Sequence, residues 1–218
     1  MELIPQIAIS FFVVIVSLTV HETAHAASAY ALGDPTAKNM GRMSLNPLVH
    51  IDPIGTILLP ILLAVMQLGV FGWAKPVPVN PANLRHPRRD DALVAAAGPV
   101  SNLVLACVSA FAIRSLLMLN LDSQGMYFIV FILVLMVRIN IFLMLFNLLP
   151  IAPLDGSGVL QGFLSPQSWL KFRQLSQRFV IFFLLILLLT DWFYTFYLEP
   201  VSRVFFFGLQ YIAGIRLI

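Results

Sequence analysis

Charge is what this chain has least of. Of its 218 residues, 11% are Asp, Glu, Lys or Arg against 60% that are hydrophobic, whereas a soluble domain is about a quarter charged. That scarcity excludes an ordinary soluble protein and points to an integral membrane protein with little chain left for a soluble domain. Cysteine is scarcer still. Cys107 stands alone, which rules out an intramolecular disulfide framework and a cysteine zinc cluster. Glutamate occurs three times, at Glu2, Glu22 and Glu199, and two of these lie at segment ends. No repeat, low-complexity tract or nucleic-acid signature is present. The first residues carry Glu2 and no basic n-region, so the first apolar segment reads as a retained span.

What the chain has in quantity is long apolar segments, at about 5–32, 54–71, 92–119, 126–150, 179–198 and 201–218. A helix needs about 20 residues to cross the hydrocarbon core, so the first, third, fourth and fifth suffice and the other two are marginal. These predict an all-α polytopic membrane protein of about five transmembrane helices, with residues 1–218 as one integral membrane domain. Ser165 and Pro166 open "SPQSWLKFRQLSQRF", which reads as an amphipathic helix on the membrane surface. Basic residues gather in three connections: Lys38 and Arg42; Lys75, Arg85, Arg88 and Arg89; Lys171, Arg173 and Arg178. The positive-inside rule places all three in the cytoplasm. Segment 54–71 then has both ends on one side, and with Gly55, Pro60 and Gly69 as breakers it is expected to be re-entrant. The stretch 38–53 is expected to be β-like, and with Pro150–Asp155 it is a candidate edge for strand addition.

Into the first apolar segment the chain puts "HETAH". His21 and His25, four apart, project from one helix face, the spacing at which two imidazoles share a zinc ion, with Glu22 beside the metal to take a proton from water. A chain of this composition contains H-E-x-x-H by chance about once in a thousand. Ionisable groups inside a span are costly and by default functional. A catalytic zinc takes three protein ligands and leaves a position open, and a downstream glutamate ligand has almost no candidate here. Asp34 sits in "GDP" and reads as the turn ending the helix; Asp90 and Asp91 flank arginines and read as a solvated cluster or helix cap. Two candidates remain for the third ligand. Asp155 follows Pro150 and Pro153, which stop the fourth helix, and precedes Gly156, which permits close approach. His50 in "NPLVHIDPIGT" is its rival. Asn140 and Asn147 are seven apart on one face; Asn140 reads as an interhelical hydrogen bond, as does Asn102 in the small-residue stretch "AAAGPVSNL".

Together "HETAHAASAYALGD", "AAAGPVSNL" and "FNLLPIAPLDG", over residues of about 7–160, resemble the site-2 protease family of intramembrane zinc metalloproteases. "GRMSLNPLVHIDPIGT" and "GWAKPVPVNP" resemble its compact bacterial branch, without PDZ or CBS domain. The resemblance implies one zinc ion per chain held by His21, His25 and Asp155, Glu22 as catalytic acid/base, and Asn147 in substrate binding. It implies a multi-pass cell-membrane protein, bacterial inner membrane in type, whose active site faces the cytoplasm. Its substrate would be a membrane-anchored regulatory protein cut within or near its transmembrane segment. The sequence leaves the oligomeric state open. A channel or transporter would need inverted repeats or paired broken helices, and none is present. A proteolytically inactive scaffold that binds transmembrane helices would not need the intact Glu22.

Overall fold

The computed structural model describes residues 3–58, 72–119, 123–176 and 194–215. Its helices are α1 (Leu3–Ala31), α2 (Thr36–Asn39), α3 (Pro87–Met118), α4 (Gln124–Asn147), α5 (Asp155–Gln161), α6 (residues 166–176) and α7 (Glu199–Ala213). Three have the length and apolarity to cross a bilayer: α1 over Ile7–Ala31, α3 and α4. These match the first, third and fourth apolar segments. Most of segment 179–198 lies outside the described residues, and the 15 residues of α7 reach about 22 Å at 1.5 Å each, short of a span by themselves. The count of five is therefore not reached among the described residues.

No strand occurs among the described residues, and the β-like reading of 38–53 does not hold. That stretch holds the end of α2, a 3-10 turn at Pro47–Val49 and the start of a π-helical turn at Pro53–Leu58, joined by turns and irregular backbone. Local bonds accompany this: Ser44 Oγ accepts from the Asn46 N–H, Asn46 Oδ1 from the Leu48 N–H, and Thr56 Oγ1 from the Asp52 N–H. Side-chain acceptors of this kind give the backbone partners that a ladder would otherwise supply. The re-entrant reading of 54–71 falls mainly on 59–71, outside the described residues. Its flanks meet: the Trp73 N–H donates to the Gly55 carbonyl at 3.1 Å, and Thr56 Oγ1 donates to the Trp73 carbonyl at 2.8 Å.

Helix α1 ends in a Schellman turn. Gly33, at φ 114°, donates to the Tyr30 carbonyl and Asp34 to that of Ala29, the paired bonds that close a helix around a left-handed residue. The turn reading of Asp34 is thus met, but its side chain does more. Fully buried, it accepts from the backbone N–H groups of Thr36 and Asn80, the Thr36 hydroxyl and the Asn83 amide. Burial pushes its pKa up and these bonds overcome that, holding it below the usual carboxylate range. The tie is complete at neutral pH and is lost only as pH falls through that lowered value. Asp90 is buried as well and accepts from the His86 N–H, a cap on α3 rather than a solvated charge.

The central element is α3, which packs against α1, α4, α5 and α7. Its apolar contacts with α4 and α7 run through Ala106, Ala110 and Ile113 against Val137, Ile141 and Leu209. On the opposite faces Val104, Val108, Phe111 and Phe128 stand exposed, as suits side chains that meet acyl chains. Helix association in lipid depends on close packing and hydrogen bonds more than on burial from water, and both are present. A Cβ at Gly158 would stand 2.7 Å from that of Ala95, and one at Gly162 2.9 Å from that of Ala92, so α5 lies directly on the small-residue face of α3. Gly158→Ala and Gly125→Ala each raise helix propensity by about 1 kcal/mol, but only the first meets another atom, Gly125 having open space around it. Thermal unfolding in detergent should leave the Gly125 variant at or above wild type and place the Gly158 variant below it, by about 1–3 kcal/mol of overpacking.

Candidate active site

Two imidazoles on the inner face of α1 and one carboxylate at the start of α5 converge. His21 Nε2 and His25 Nε2 are 3.0 Å apart. Asp155 Oδ2 lies 3.1 Å from the first and Asp155 Oδ1 3.4 Å from the second. Both histidines are buried. His50, the rival third ligand, is tied elsewhere: its Nε2 donates to the Ser44 carbonyl at 2.8 Å. Asn147, half-buried, donates to the Leu143 carbonyl one turn back on α4.

The second nitrogen of each ring fixes its tautomer. His21 Nδ1 donates to Asn102 Oδ1 at 2.6 Å, and His25 Nδ1 donates to the Val94 carbonyl at 2.7 Å. The direction of the first bond follows from its neighbours. Asn102 donates its amide N–H to Asn140 Oδ1, and Asn140 donates onward to Ser17 Oγ and the Met136 carbonyl, so Asn102 Oδ1 is left as an acceptor. Asn102 and Asn140 are the interhelical bonds their sequence positions predicted, and both are fully buried. With each N–H spent on Nδ1, the two Nε2 atoms present lone pairs to each other and to a carboxylate whose Oδ2 has no hydrogen-bond donor. Three buried acceptors facing one another are what a cation resolves. Two imidazole nitrogens and one carboxylate, all within 4.8 Å, are the donor set of a four-coordinate zinc with one position left open. Histidine ligands oriented through their second nitrogen are the usual accompaniment.

The packing around the cluster is shaped to it. A Cβ on Gly98 of α3 would overlap the Nε2 atoms of both histidines, so only glycine lets α3 pass this close. Gly156 lies against the carbonyls of Leu148 and Leu149, which brings the chain after α4 back beneath its own end and delivers Asp155. Glu22 is buried beside its neighbours in α1, and its Oε2 accepts from the Val77 N–H at 3.0 Å. Gly98, Val94 and Val77 were not singled out from the sequence. Val94 and Val77 act through backbone atoms, which leave no side-chain signature; the signal for Gly98 was its place among the small residues of "AAAGPVSNL".

Comparison with known proteins agrees with this arrangement. The profile of peptidase family M50 matches residues 115–188. YwhC of Bacillus subtilis, named as a candidate zinc metalloprotease, is 42% identical over 193 residues, or 85% of this chain and 81% of its own length. The chain belongs to peptidase family M50. Rip2 of Mycobacterium tuberculosis, named in the same way, is 32% identical over 200 residues, covering 90% of this chain and 69% of Rip2. No solved structure matches. As an M50 peptidase the chain is a zinc metalloendopeptidase of the site-2 protease type. The profile match takes in Asn147 and Asp155 but not His21, Glu22 or His25, so the joining of the two halves of the site rests on the fold.

Asn102→Leu conserves approximate volume and removes the acceptor for His21. In this M50 peptidase it should lower zinc affinity by about 10–100-fold in a chelator competition, and unchanged affinity would show that the Asn102 contact does not orient the ligand.

Proposed function

We propose that this chain is an intramembrane protease that hydrolyses a peptide bond within or near a transmembrane segment of a membrane-anchored regulatory protein. In this reading His21, His25 and Asp155 hold zinc, Glu22 is the acid/base, and residues 1–218 work as one membrane-embedded unit. The observation that carries it is the convergence of the two Nε2 atoms and the Asp155 carboxylate beside Glu22, in a bundle of three helices fit to span a bilayer.

A bound zinc ion supplies polarisation of the scissile carbonyl and acidity to water. Glu22 accepts the proton of the attacking water and returns it to the leaving amine. The buried walls of α1, α3 and α5 limit bulk water, so the charges exchanged there act in a low dielectric. A helical substrate must unwind locally, because its peptide groups are shielded by their own hydrogen bonds, and Asn147 orients the exposed backbone.

Glu22→Gln should keep one zinc per chain and lose cleavage of a single-span test protein, because Glu22 acts on water and not on the metal. Asp155→Ala should lose both. Metal analysis beside a cleavage assay decides this: full zinc in Asp155→Ala with loss in His50→Ala would replace Asp155 by His50.

The same reading puts the protein in a cell membrane as a multi-pass chain with the site toward the cytoplasm. The basic connections support it, and so do the joined flanks of segment 54–71, since Gly55 and Thr56 meet Trp73. Replace Cys107 by Ser, introduce single cysteines at Asn39, Asn83, Ser123 and Ser168, and label intact cells from outside. Position 123 alone should react; strong labelling at 83 with none at 39 would overturn the orientation.

A further inference from the structure

The run "WAKPVPVNP", residues 73–81, has an unusual supply of backbone donors. Pro76 and Pro78 have no N–H, so between them Val77 holds the single amide hydrogen. A proline also drives the residue before it into extended backbone, which applies to both Lys75 and Val77. The sequence therefore presents a lone N–H between two prolines on a stiff, extended stretch. In the structure that N–H goes to Glu22 Oε2 at 3.0 Å.

The stretch is anchored on both sides of Val77. Upstream, the Lys75 N–H donates to the His50 carbonyl at 2.8 Å. Arg42, buried although it counts among the basic connection residues, donates its Nη2 to the carbonyls of Lys75 and Pro76. Downstream, Asn80 N–H donates to Asp34 Oδ2 at 2.7 Å, the Asn83 amide to Asp34 Oδ1 at 2.8 Å, and Arg85 N–H to the Leu32 carbonyl at 3.2 Å. Leu84 and Val79 pack with Ala29 and Leu32 of α1 and its exit turn. Asp34 and Glu22 leave the same helix, so this strut is fastened to the element that carries the residue it touches.

We infer that the Val77 amide is a positioning group for the Glu22 carboxylate. It holds one oxygen in place and leaves the other for proton transfer, with Arg42 and Asp34 fixing the strut that presents it. The inference rests on the proposed role of Glu22. It also assigns the Pro-rich stretch a task other than pairing with substrate, since prolines at 76 and 78 remove the donors that an added strand would need from that edge.

The test deletes one atom group. Val77→α-hydroxyvaline, made by nonsense suppression, turns the amide into an ester without the N–H, while Val77→Ala keeps the N–H and trims the side chain. The chain has three glutamates, so labelling with carboxyl-13C glutamate and subtracting the Glu22→Gln spectrum isolates the Glu22 carboxylate band in the infrared. In zinc-loaded, monodisperse protein the band should move to higher wavenumber in the ester variant and stay put in Val77→Ala. Cleavage of the single-span test protein should show kcat lowered about tenfold by loss of a hydrogen bond to a charged group, with KM within about twofold. Zinc content should remain one per chain. An unmoved band, an equal effect of Val77→Ala, or loss of zinc in the ester variant would each overturn the inference. Full activity in Glu22→Gln would instead sink the proposed role of Glu22, and the band would still report whether Val77 holds its carboxylate.

Discussion

Two imidazole nitrogens face each other 3.0 Å apart in the interior of a membrane bundle, and the rest of the molecule is arranged around keeping them there. Left free, the rings would turn their lone pairs away from one another and from the Asp155 carboxylate. They are held by their far sides, one by Asn102 and one by the Val94 carbonyl. Both restraints come from α3, so the separation of α1 and α3 sets the geometry of the site. That separation in turn depends on Gly98, the residue at which a methyl group would collide with both rings.

Polar groups at this depth have to be satisfied by one another. Asn102, Asn140 and Ser17 form a chain across α3, α4 and α1 in which the amides bond in one consistent direction. This serves the bundle and the site at once. It gives three lipid-exposed helices a specific register that apolar side chains, equally content in lipid, would not select. It also settles which atom of Asn102 faces His21. The same economy appears at Asp155. The break after α4 would be costly at this depth if exposed, but Gly156 tucks it under the carbonyls of Leu148 and Leu149, and α5 closes over it through Gly158 and Ala95.

The long connection between α1 and α3 is more than a tether. Arg42 and Asp34, which composition alone would assign to a basic surface and a turn, are both buried, and both bond backbone atoms of residues 75–80: Arg42 the carbonyls of Lys75 and Pro76, Asp34 the Asn80 N–H. They fix a proline-stiffened segment against α1 next to Glu22. In the proposed mechanism, where Glu22 moves the proton and the substrate is unwound, a rigid support beside that carboxylate supplies order that the substrate gives up.

The sequence alone determined the membrane class, the three long helices, and the pairing of His21 with His25, because apolar runs and the i, i+4 spacing depend on local periodicity. It also marked Asn102 and Asn140 as interhelical groups, as polar residues inside apolar segments have few other uses. What it left open was the choice between Asp155 and His50, separated from His25 by 130 and 25 residues of chain, for spacing along a chain says nothing about distance once helices fold back. The tertiary structure brings Asp155 to the imidazoles and ties His50 Nε2 to the Ser44 carbonyl, a juxtaposition that chain spacing could not give. It shows turns and short helical pieces rather than strand over 38–53, where side-chain acceptors take several of the backbone donors. Gly98, Val94 and Val77 gained their roles only from the fold. What each contributes is a missing side chain or a backbone atom, and such contributions take on meaning only when another helix comes close.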